Sequence, residues 1–391
     1  MLAADAEALA TATAAQPERY PLAIKAVWEI AAAAYERAGD NAASRRCQLN
    51  AIDQTLEMRN EVGSASAAAH WTRTAISQLR SVEGTRDQRE ALRLELRALQ
   101  ETAQDEFGSF SVPLDLNEIA IGTIELFDKL TLPSMLLQFA LLWRPERIQK
   151  LREEALATAQ KGFITTMFGQ VHTDAEGKIV AEGEGAPVDR EPDEEWIKNT
   201  ISKNEQLRRH IVVGGQIEPA RETMVSYHSL NERHFHAITM MSPFVPAQQA
   251  VTFSLGFARL IQGDFVSAVH ILVLQVENLL RYVLRSANTD SSKVMPDMLQ
   301  ARPSVIALLD QMRPEMEKVF SAEVVLEIDL LFNHRPGPAL RHEFAHGKVA
   351  SSYCYHPDVI FACWFIYHLC CAPLLRYWRE HVEPALEAEC S

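Results

Sequence analysis

The sequence predicts a mainly α-helical protein: an N-terminal helical domain, a small β-hairpin element and a C-terminal helical bundle. Apolar residues recur at helical spacing over most of the chain. One segment, 163–185, is instead rich in β-branched and aromatic residues. The C-terminal part contains two long, strongly apolar helical patterns. The predicted domains are therefore 1–160, 161–242 and 243–391.

The composition is that of a globular protein with a strong acidic balance. The chain has 391 residues, of which 47% are hydrophobic and 23% are charged, and its net charge is −14. This excludes a generally basic nucleic-acid surface, so any contact with RNA must be local. The beginning, "MLAADAEALATATAAQ", lacks the basic start and apolar centre of a signal peptide. We therefore expect a cytoplasmic protein.

The N-terminal domain, 1–160, reads as helix after helix. Gly39 can end the first clear helix, and Asn41 is the expected N-cap of the next one. The apolar stripe of that first helix is Ile24, Val27, Trp28, Ala31 and Tyr35. The paired helices suggest a helical-hairpin layer, and without a fixed period no repeat solenoid is predicted. We expect this domain to be a sensor or regulatory module, through which a partner protein could bind.

In the middle region, 161–242, the hairpin is expected at 163–185, with "DAEGK" as its turn. An acidic loop, 183–195, and a helix around 193–210 follow. His228, His234 and His236 lie close together in sequence, but no Asp, Glu or Cys pattern completes a metal site there. We interpret them as structural.

The C-terminal bundle is expected to have four main helices. Pro243 and Pro246 precede a helix that Gly263 stops, and Asp264 can cap the long apolar helix after it. "NHRPGP" then breaks the pattern before a final apolar helix at 357–379. Its run 359–378 is nearly long enough to cross a bilayer, but it contains His368, Pro373 and Arg376. A helix buried all round in a bundle explains it better, so no membrane association is expected.

The six cysteines show no C-x-x-C pair and no framework spacing. Free thiols in a reducing compartment are the expected state. A zinc cluster can be imagined, but its spacing matches no common zinc module. That cluster would comprise Cys354, His356, His368, Cys370 and Cys371. We expect no metal and no cofactor.

The segment "ALRHEFAHGKV", 339–349, carries the candidate catalytic residues. Pro338 suits the first turn of a short helix and Gly347 suits the position just past its end. Arg341 and His346 are five positions apart, about 140° around a helix, so they converge only at a frayed end or across a dimer axis. His342 and His346 are four apart and share a face.

These residue types suit RNA cleavage without a metal. His is the usual acid or base near neutral pH, and Arg matches phosphate oxygens and a developing phosphorane. The 2′-OH of RNA would be the nucleophile. The alternative is structural: the helix dipole favours a cationic His near its C-terminus, and Arg341 and Glu343 would form a solvated face.

The pattern R-[N/D/H]-x-x-x-H resembles the HEPN superfamily, many of whose members are metal-independent ribonucleases of bacterial defence and toxin systems. "LRHEFAHG" resembles the Arg-Asn…His-Gly signature of one branch, a domain of unknown function, with His342 in place of Asn. "GDFVSAVHILVLQVENLLRYVL", 263–284, resembles the first bundle helix of that branch, in which Glu277 and Arg281 can pair or orient Arg341 or His346.

The resemblance implies a homodimeric endoribonuclease acting on RNA or a nucleotide. Arg341 would stabilise the phosphorane, His346 would be general base or acid, and His342 would support it. Glu277, Arg281 and Glu343 would surround them. The alternative is a non-catalytic HEPN-like protein for interaction, dimerisation or nucleotide binding, in which the motif is structural.

Overall fold

A computed structural model shows the mainly α-helical chain that the sequence predicts. It describes residues 2–16, 19–106, 114–160, 170–173, 179–183, 192–287, 293–294, 300–301, 305–347 and 349–390. The chain forms two compact units. The first is Met1–Val112 with Glu176–Ile179, and the second is Pro113–Ala175 with Val180–Ser391.

The first unit contains five helices, each packed on the next along the chain. They are α1 (Leu2–Ala14), α2 (Pro21–Arg37), α3 (Asn41–Glu61), α4 (Ala65–Leu79) and α5 (Arg86–Glu106). The predicted stripe of α2 packs as expected, with Ile24, Trp28 and Ala31 buried. The predicted N-cap was one residue late: the Asp40 side chain, not Asn41, accepts a hydrogen bond from the Ala43 backbone N–H.

The second unit begins with three helices and two strands, followed by further helices and a second pair of short strands. The first five elements are α6 (Asn117–Phe127), α7 (Leu132–Ala140), α8 (Ile148–Gln160), β1 (Gln170–Thr173) and β2 (Ile179–Gly183). Next come α9 (Glu194–Val212), α10 (Glu218–Tyr227), α11 (Arg233–Met241), α12 (Ala250–Gln262) and α13 (Phe265–Ser286).

The last part of this unit carries the candidate motif. It contains β3 (Lys293–Val294), β4 (Gln300–Ala301), α14 (Val305–Gln311), α15 (Arg313–Phe320), α16 (Ala322–Phe332), α17 (Leu340–Ala345), α18 (Pro357–Cys371) and α19 (Glu383–Cys390). Strands β3 and β4 are antiparallel. Gly263, in the left-handed conformation with φ 78°, ends α12, and the Asp264 side chain caps α13 at the Ser267 N–H, both as predicted.

The region of the predicted hairpin is described only in part. Strands β1 and β2 are neighbours in a two-stranded sheet. Residues 163–169, the turn at 174–178 and most of the predicted loop, 184–191, lie outside the described residues. The hairpin as a whole therefore stays a prediction.

The compact units divide after Val112, whereas the sequence predicts a boundary after residue 160. The difference comes from α6 and α7, because Phe127 of α6 and the buried residues of α7 belong to the C-terminal core. Polar groups of α18 also donate to two buried carbonyls in the second half of α7. The Trp364 indole N–H donates to Phe139 O at 2.8 Å, and the Tyr367 hydroxyl donates to Leu136 O at 2.9 Å. Hydrophobic periodicity does not show which neighbour a helix packs on.

Helix α18 is buried on all sides, as the sequence predicts for its apolar run. By length and composition, two stretches of the described residues could cross a bilayer: Phe265–Ser286 and Pro357–Leu374. In the second, 78% of the apolar window is buried inside the fold. Burial of this kind is typical of the central helix of a bundle.

A buried cation lies among three helices of this unit. The Arg209 guanidinium on α9 is completely buried; its Nε donates to Glu327 on α16 at 2.8 Å and its Nη1 donates to Asp358 on α18 at 3.3 Å. Both carboxylates are also buried. Since an unpaired buried charge is very costly, this arrangement fixes α9, α16 and α18 relative to one another.

Helices α12 and α13 approach closely at Gly256, where a Cβ atom would lie 2.5 Å from Leu272 Cδ2. We expect Gly256→Ala to lower the free energy of unfolding by about 1–3 kcal/mol, because the added methyl group overpacks this contact. The matched control is Gly122→Ala on the exposed face of α6, where a Cβ meets nothing within 4 Å. That change should instead stabilise by about 0.5–1 kcal/mol. Urea denaturation of both variants tests this, and a Gly256→Ala protein as stable as wild type would contradict the packing.

Candidate functional site

The candidate motif lies on the six-residue helix α17, Leu340–Ala345. Leu340 and Phe344 are buried in the core, which leaves the polar residues of the motif half-buried or exposed. Gly347 has φ 64° just past the helix end, as predicted. The prediction for Pro338 was wrong, because the helix starts at Leu340, after Ala339 in the left-handed conformation with φ 42°.

The first cluster of the site is an Arg–Glu–Arg group formed by Arg341, Glu277 and Arg281. Glu277 Oε2 lies 2.9 Å from Arg341 Nη2 and 3.1 Å from Nε, while Glu277 Oε1 lies 2.5 Å from Arg281 Nη1. One carboxylate on α13 thus holds a guanidinium of α17 and another of its own helix. The predicted i, i+4 pair is present, and Glu277 also orients Arg341. The group keeps a net charge of +1, which suits an anion.

The second cluster is an imidazole pair, His342 and His346. Their ring centroids are 4.5 Å apart with an interplanar angle of 66°, and the His346 backbone N–H donates to His342 O at 3.3 Å. The prediction that these residues share a face is confirmed. His346 is exposed, so its ring is accessible to a ligand.

Among the described residues, Arg341 and His346 have different partners. Arg341 binds Glu277, whereas the ring of His346 contacts that of His342. The Arg–Glu–Arg group and the imidazole pair are nevertheless adjacent in sequence, since Arg341 and His342 are consecutive. Arg341 retains 32% exposure of its side chain. Whether Arg341 and His346 meet around one phosphate stays a prediction.

Glu343 is half-buried on α17, and its negative charge acts on the hydroxyl of Tyr353, which lies in the short 3-10 helix Ser351–Tyr355. Burial raises the pKa of the Tyr353 hydroxyl, and the charges of Asp358 and Glu343 raise it further. Tyr353 is therefore protonated at every physiological pH and can act only as a neutral hydrogen-bonding group there. Glu343 therefore places a negative charge within the motif, where the sequence predicts it.

The turn that leads into α17 is anchored by Asp329, a buried residue near the end of α16. The Asn333 amide donates to Asp329 Oδ1 at 2.9 Å, and Lys198 and Arg313 donate to Oδ2 at 2.9 and 2.6 Å. At Gly337, a Cβ would lie 2.8 Å from the Leu330 carbonyl oxygen. Sequence reasoning missed this anchor, although the "NHRPGP" break signalled a constrained turn.

The structure gives the same answer for both candidate metal groups of the sequence, the His228–His236 group and the cysteine–histidine group. His234 Nδ1 contacts the Asn231 carbonyl oxygen at 3.3 Å, and burial lowers the pKa of His228, with His234 adding to the shift. His368 Nδ1 contacts the Ala140 carbonyl oxygen at 2.7 Å. The described free cysteines are all buried: Cys47, Cys354, Cys363, Cys370 and Cys371. None of these groups is arranged as a metal site in the described part of the chain.

A different trio is arranged so, and the sequence reasoning did not find it. Across the described ranges, the one group of His, Cys, Asp and Glu spaced to hold a metal ion is His210, His356 and Asp358. His356 was considered with the cysteines, but His210 lies far from it in sequence. The short spacing His-Pro-Asp was the only local signal.

Comparisons with protein-family models, with curated proteins and with solved structures give no match.

Asp329 makes the stability of this region depend on pH. Burial works to raise the pKa of Asp329, but the Lys198 charge and the hydrogen bonds from Asn333, Lys198 and Arg313 outweigh it and hold the pKa below its ordinary value. A depressed carboxylate pKa stabilises the fold above the unfolded-state pKa, and this stability is lost as pH falls through the folded-state pKa.

We therefore expect Asp329→Asn to lower the free energy of unfolding by about 2–3 kcal/mol near neutral pH, with the difference shrinking below about pH 4. Urea denaturation at several pH values measures it. The control is Asp310→Asn, an exposed carboxylate on α14, for which little change is expected at any pH. A loss of stability for Asp329→Asn that is the same at neutral and acidic pH would contradict the role of its charge.

Proposed function

We propose that the protein is a metal-independent endoribonuclease of a bacterial defence or toxin type, and that residues 243–391 form a HEPN-like bundle. The observation that carries this proposal is the pairing of a restrained arginine with two adjacent imidazoles on one short helix. Arg341 is bound by Glu277 at 2.9 Å, and the rings of His342 and His346 are 4.5 Å apart. The helical character of the unit and the motif's resemblance to HEPN ribonucleases support it.

The proposed reaction is an internal transesterification. His346 removes the proton from a ribose 2′-OH, and the 2′-oxygen attacks the adjacent phosphorus. Arg341 stabilises the charge on the phosphorane oxygens. The bond from phosphorus to the 5′-oxygen then breaks, and a protonated imidazole, supplied by His342, gives its proton to the leaving oxygen. The products are a 2′,3′-cyclic phosphate and a 5′-OH.

In this proposal, the protein acts as a homodimer in the cytoplasm. Within one chain Arg341 and His346 have different partners, so a two-fold axis beside α17 would let Arg341 of one protomer serve His346 of the other. The net charge of −14 supports a narrow RNA site rather than a broad basic surface. The hairpin region, 161–242, would connect this bundle to an N-terminal module that binds a protein partner or trigger.

The second candidate is a non-catalytic protein for interaction, dimerisation or nucleotide binding. One observation favours it: Glu277 already satisfies Arg341, so the arginine has a structural role without any ligand. In that case the imidazole pair would have only a structural role at the C-terminal end of α17. The two candidates differ in what the histidines contribute, and substitution of the histidines separates them.

We expect Arg341→Ala and His346→Ala each to reduce RNA cleavage by about 100-fold or more, because one removes phosphorane stabilisation and the other removes the proton acceptor. The assay uses the purified full chain, a mixed RNA pool and EDTA, with product ends analysed by mass spectrometry. His381→Ala, an exposed histidine outside the motif, is the matched control and should cleave like wild type.

Two outcomes would count against the enzyme. In the first, purified wild-type protein cuts no RNA under any activating condition. In the second, the Arg341 and His346 variants retain the activity of the His381 variant while remaining folded and in the same oligomeric state. Either result favours the non-catalytic candidate.

Glu277 gives a separate prediction, because it restrains Arg341 and also reduces the positive charge near the phosphate. Glu277→Gln should lower kcat by about 10-fold, since Arg341 loses its charged anchor, while KM stays unchanged or falls because the site becomes more positive. Steady-state kinetics on a single RNA measures both. A rise in KM with unchanged kcat would show that Glu277 is a determinant of RNA binding and not of the position of Arg341.

A further inference from the structure

The trio His210, His356 and Asp358 joins two parts of the C-terminal unit. His210 is near the end of α9, His356 is the N-cap of α18, and Asp358 lies in the first turn of α18. Their potential ligand atoms all lie within 4.8 Å of one another, and His356 Nδ1 is 3.6 Å from Asp358 Oδ2. Ligand atoms on a tetrahedral zinc ion are about 3.3 Å apart, so small side-chain rotations would close the shell.

His210 provides an independent observation that points to a ligand. Its Nε2 atom is buried, yet no hydrogen-bond partner for it exists among the described residues. Buried polar atoms are normally satisfied, and an orphaned one calls for an ion or a water. The ring centroids of His210 and His356 are 5.0 Å apart, which places the orphaned atom beside a second imidazole.

The charges around the trio also favour a cation. Arg209 is shared between Glu327 and Asp358, so these three completely or almost completely buried groups sum to −1. Asp358 is held by Arg209 through Oδ1 and by the Gln206 amide, at 2.9 Å, through Oδ2. A carboxylate that is oriented by hydrogen bonds from its neighbours is typical of metal ligands, whose outer contacts fix their direction.

We propose that His210, His356 and Asp358 bind one divalent transition-metal ion, with zinc the best fit. Two imidazole nitrogens and one carboxylate oxygen are a ligand set that zinc accepts, whereas magnesium prefers oxygen alone. The three protein ligands leave a fourth position for water. Arg341 and His346 are not among the ligands, so the ion clamps α9 to the start of α18 and takes no part in the proposed cleavage chemistry.

The full chain is stripped with EDTA, transferred to chelator-free buffer and titrated with zinc or with magnesium. We expect one zinc ion per chain, no magnesium binding, and a zinc-dependent rise in Tm of about 5 °C at an excess of about 100 times Kd. His210→Ala and His356→Ala should each weaken zinc binding by about 100-fold or more. His236→Ala, a half-buried histidine on α11, is the matched control and should bind zinc like wild type.

A second measurement does not depend on whether the variants fold. X-ray absorption at the zinc edge of the wild-type protein should show two imidazoles among the nitrogen and oxygen ligands, with no sulfur. The proposal is overturned if wild-type protein binds no zinc, if the His210 and His356 variants bind it as the His236 variant does, or if the zinc is held by sulfur or by fewer than two imidazoles.

Discussion

The buried guanidinium of Arg209 is the constraint on which the rest of the C-terminal unit depends. It is fully removed from water and is ion-paired with carboxylates from two other helices, Glu327 and Asp358. Loss of the guanidinium would leave Glu327 and Asp358 buried without their shared cation, at a cost of about 3–5 kcal/mol. The helices α9, α16 and α18 are therefore fixed together, and the segment between α16 and α18 is held at both ends. That segment contains α17.

The motif lies on the short helix α17, between the fixed helices α16 and α18. Asp329 fixes the turn before it, the buried Leu340 and Phe344 hold its inner face, and Glu277 restrains Arg341 from α13. A six-residue helix has little stability of its own, since isolated short helices are marginal in water. Tertiary contacts thus determine where the imidazoles and the guanidinium point.

The parts of this arrangement that depend on local geometry could be predicted from the sequence. Gly263 and Asp264 mark a helix end and a helix start, and the periodicity of a helix requires His342 to lie beside His346 and Glu277 beside Arg281. The contact of Glu277 with Arg341 joins positions 64 apart and was only one alternative among several. The Arg209 cluster, the packing of α6 and α7 on the C-terminal core, and the approach of His210 to His356 depend on three-dimensional packing, for which one sequence has no local signal.

In the reaction that we propose, the 2′-OH of RNA is the nucleophile. The most direct test compares one RNA with a matched strand in which every 2′-OH is methylated, using the full chain in EDTA. We expect cleavage of the unmodified RNA to 2′,3′-cyclic phosphate ends and no cleavage of the methylated strand. Cleavage of both strands, or products that carry 5′-phosphate ends, would contradict it, because water and not the ribose would then be the nucleophile.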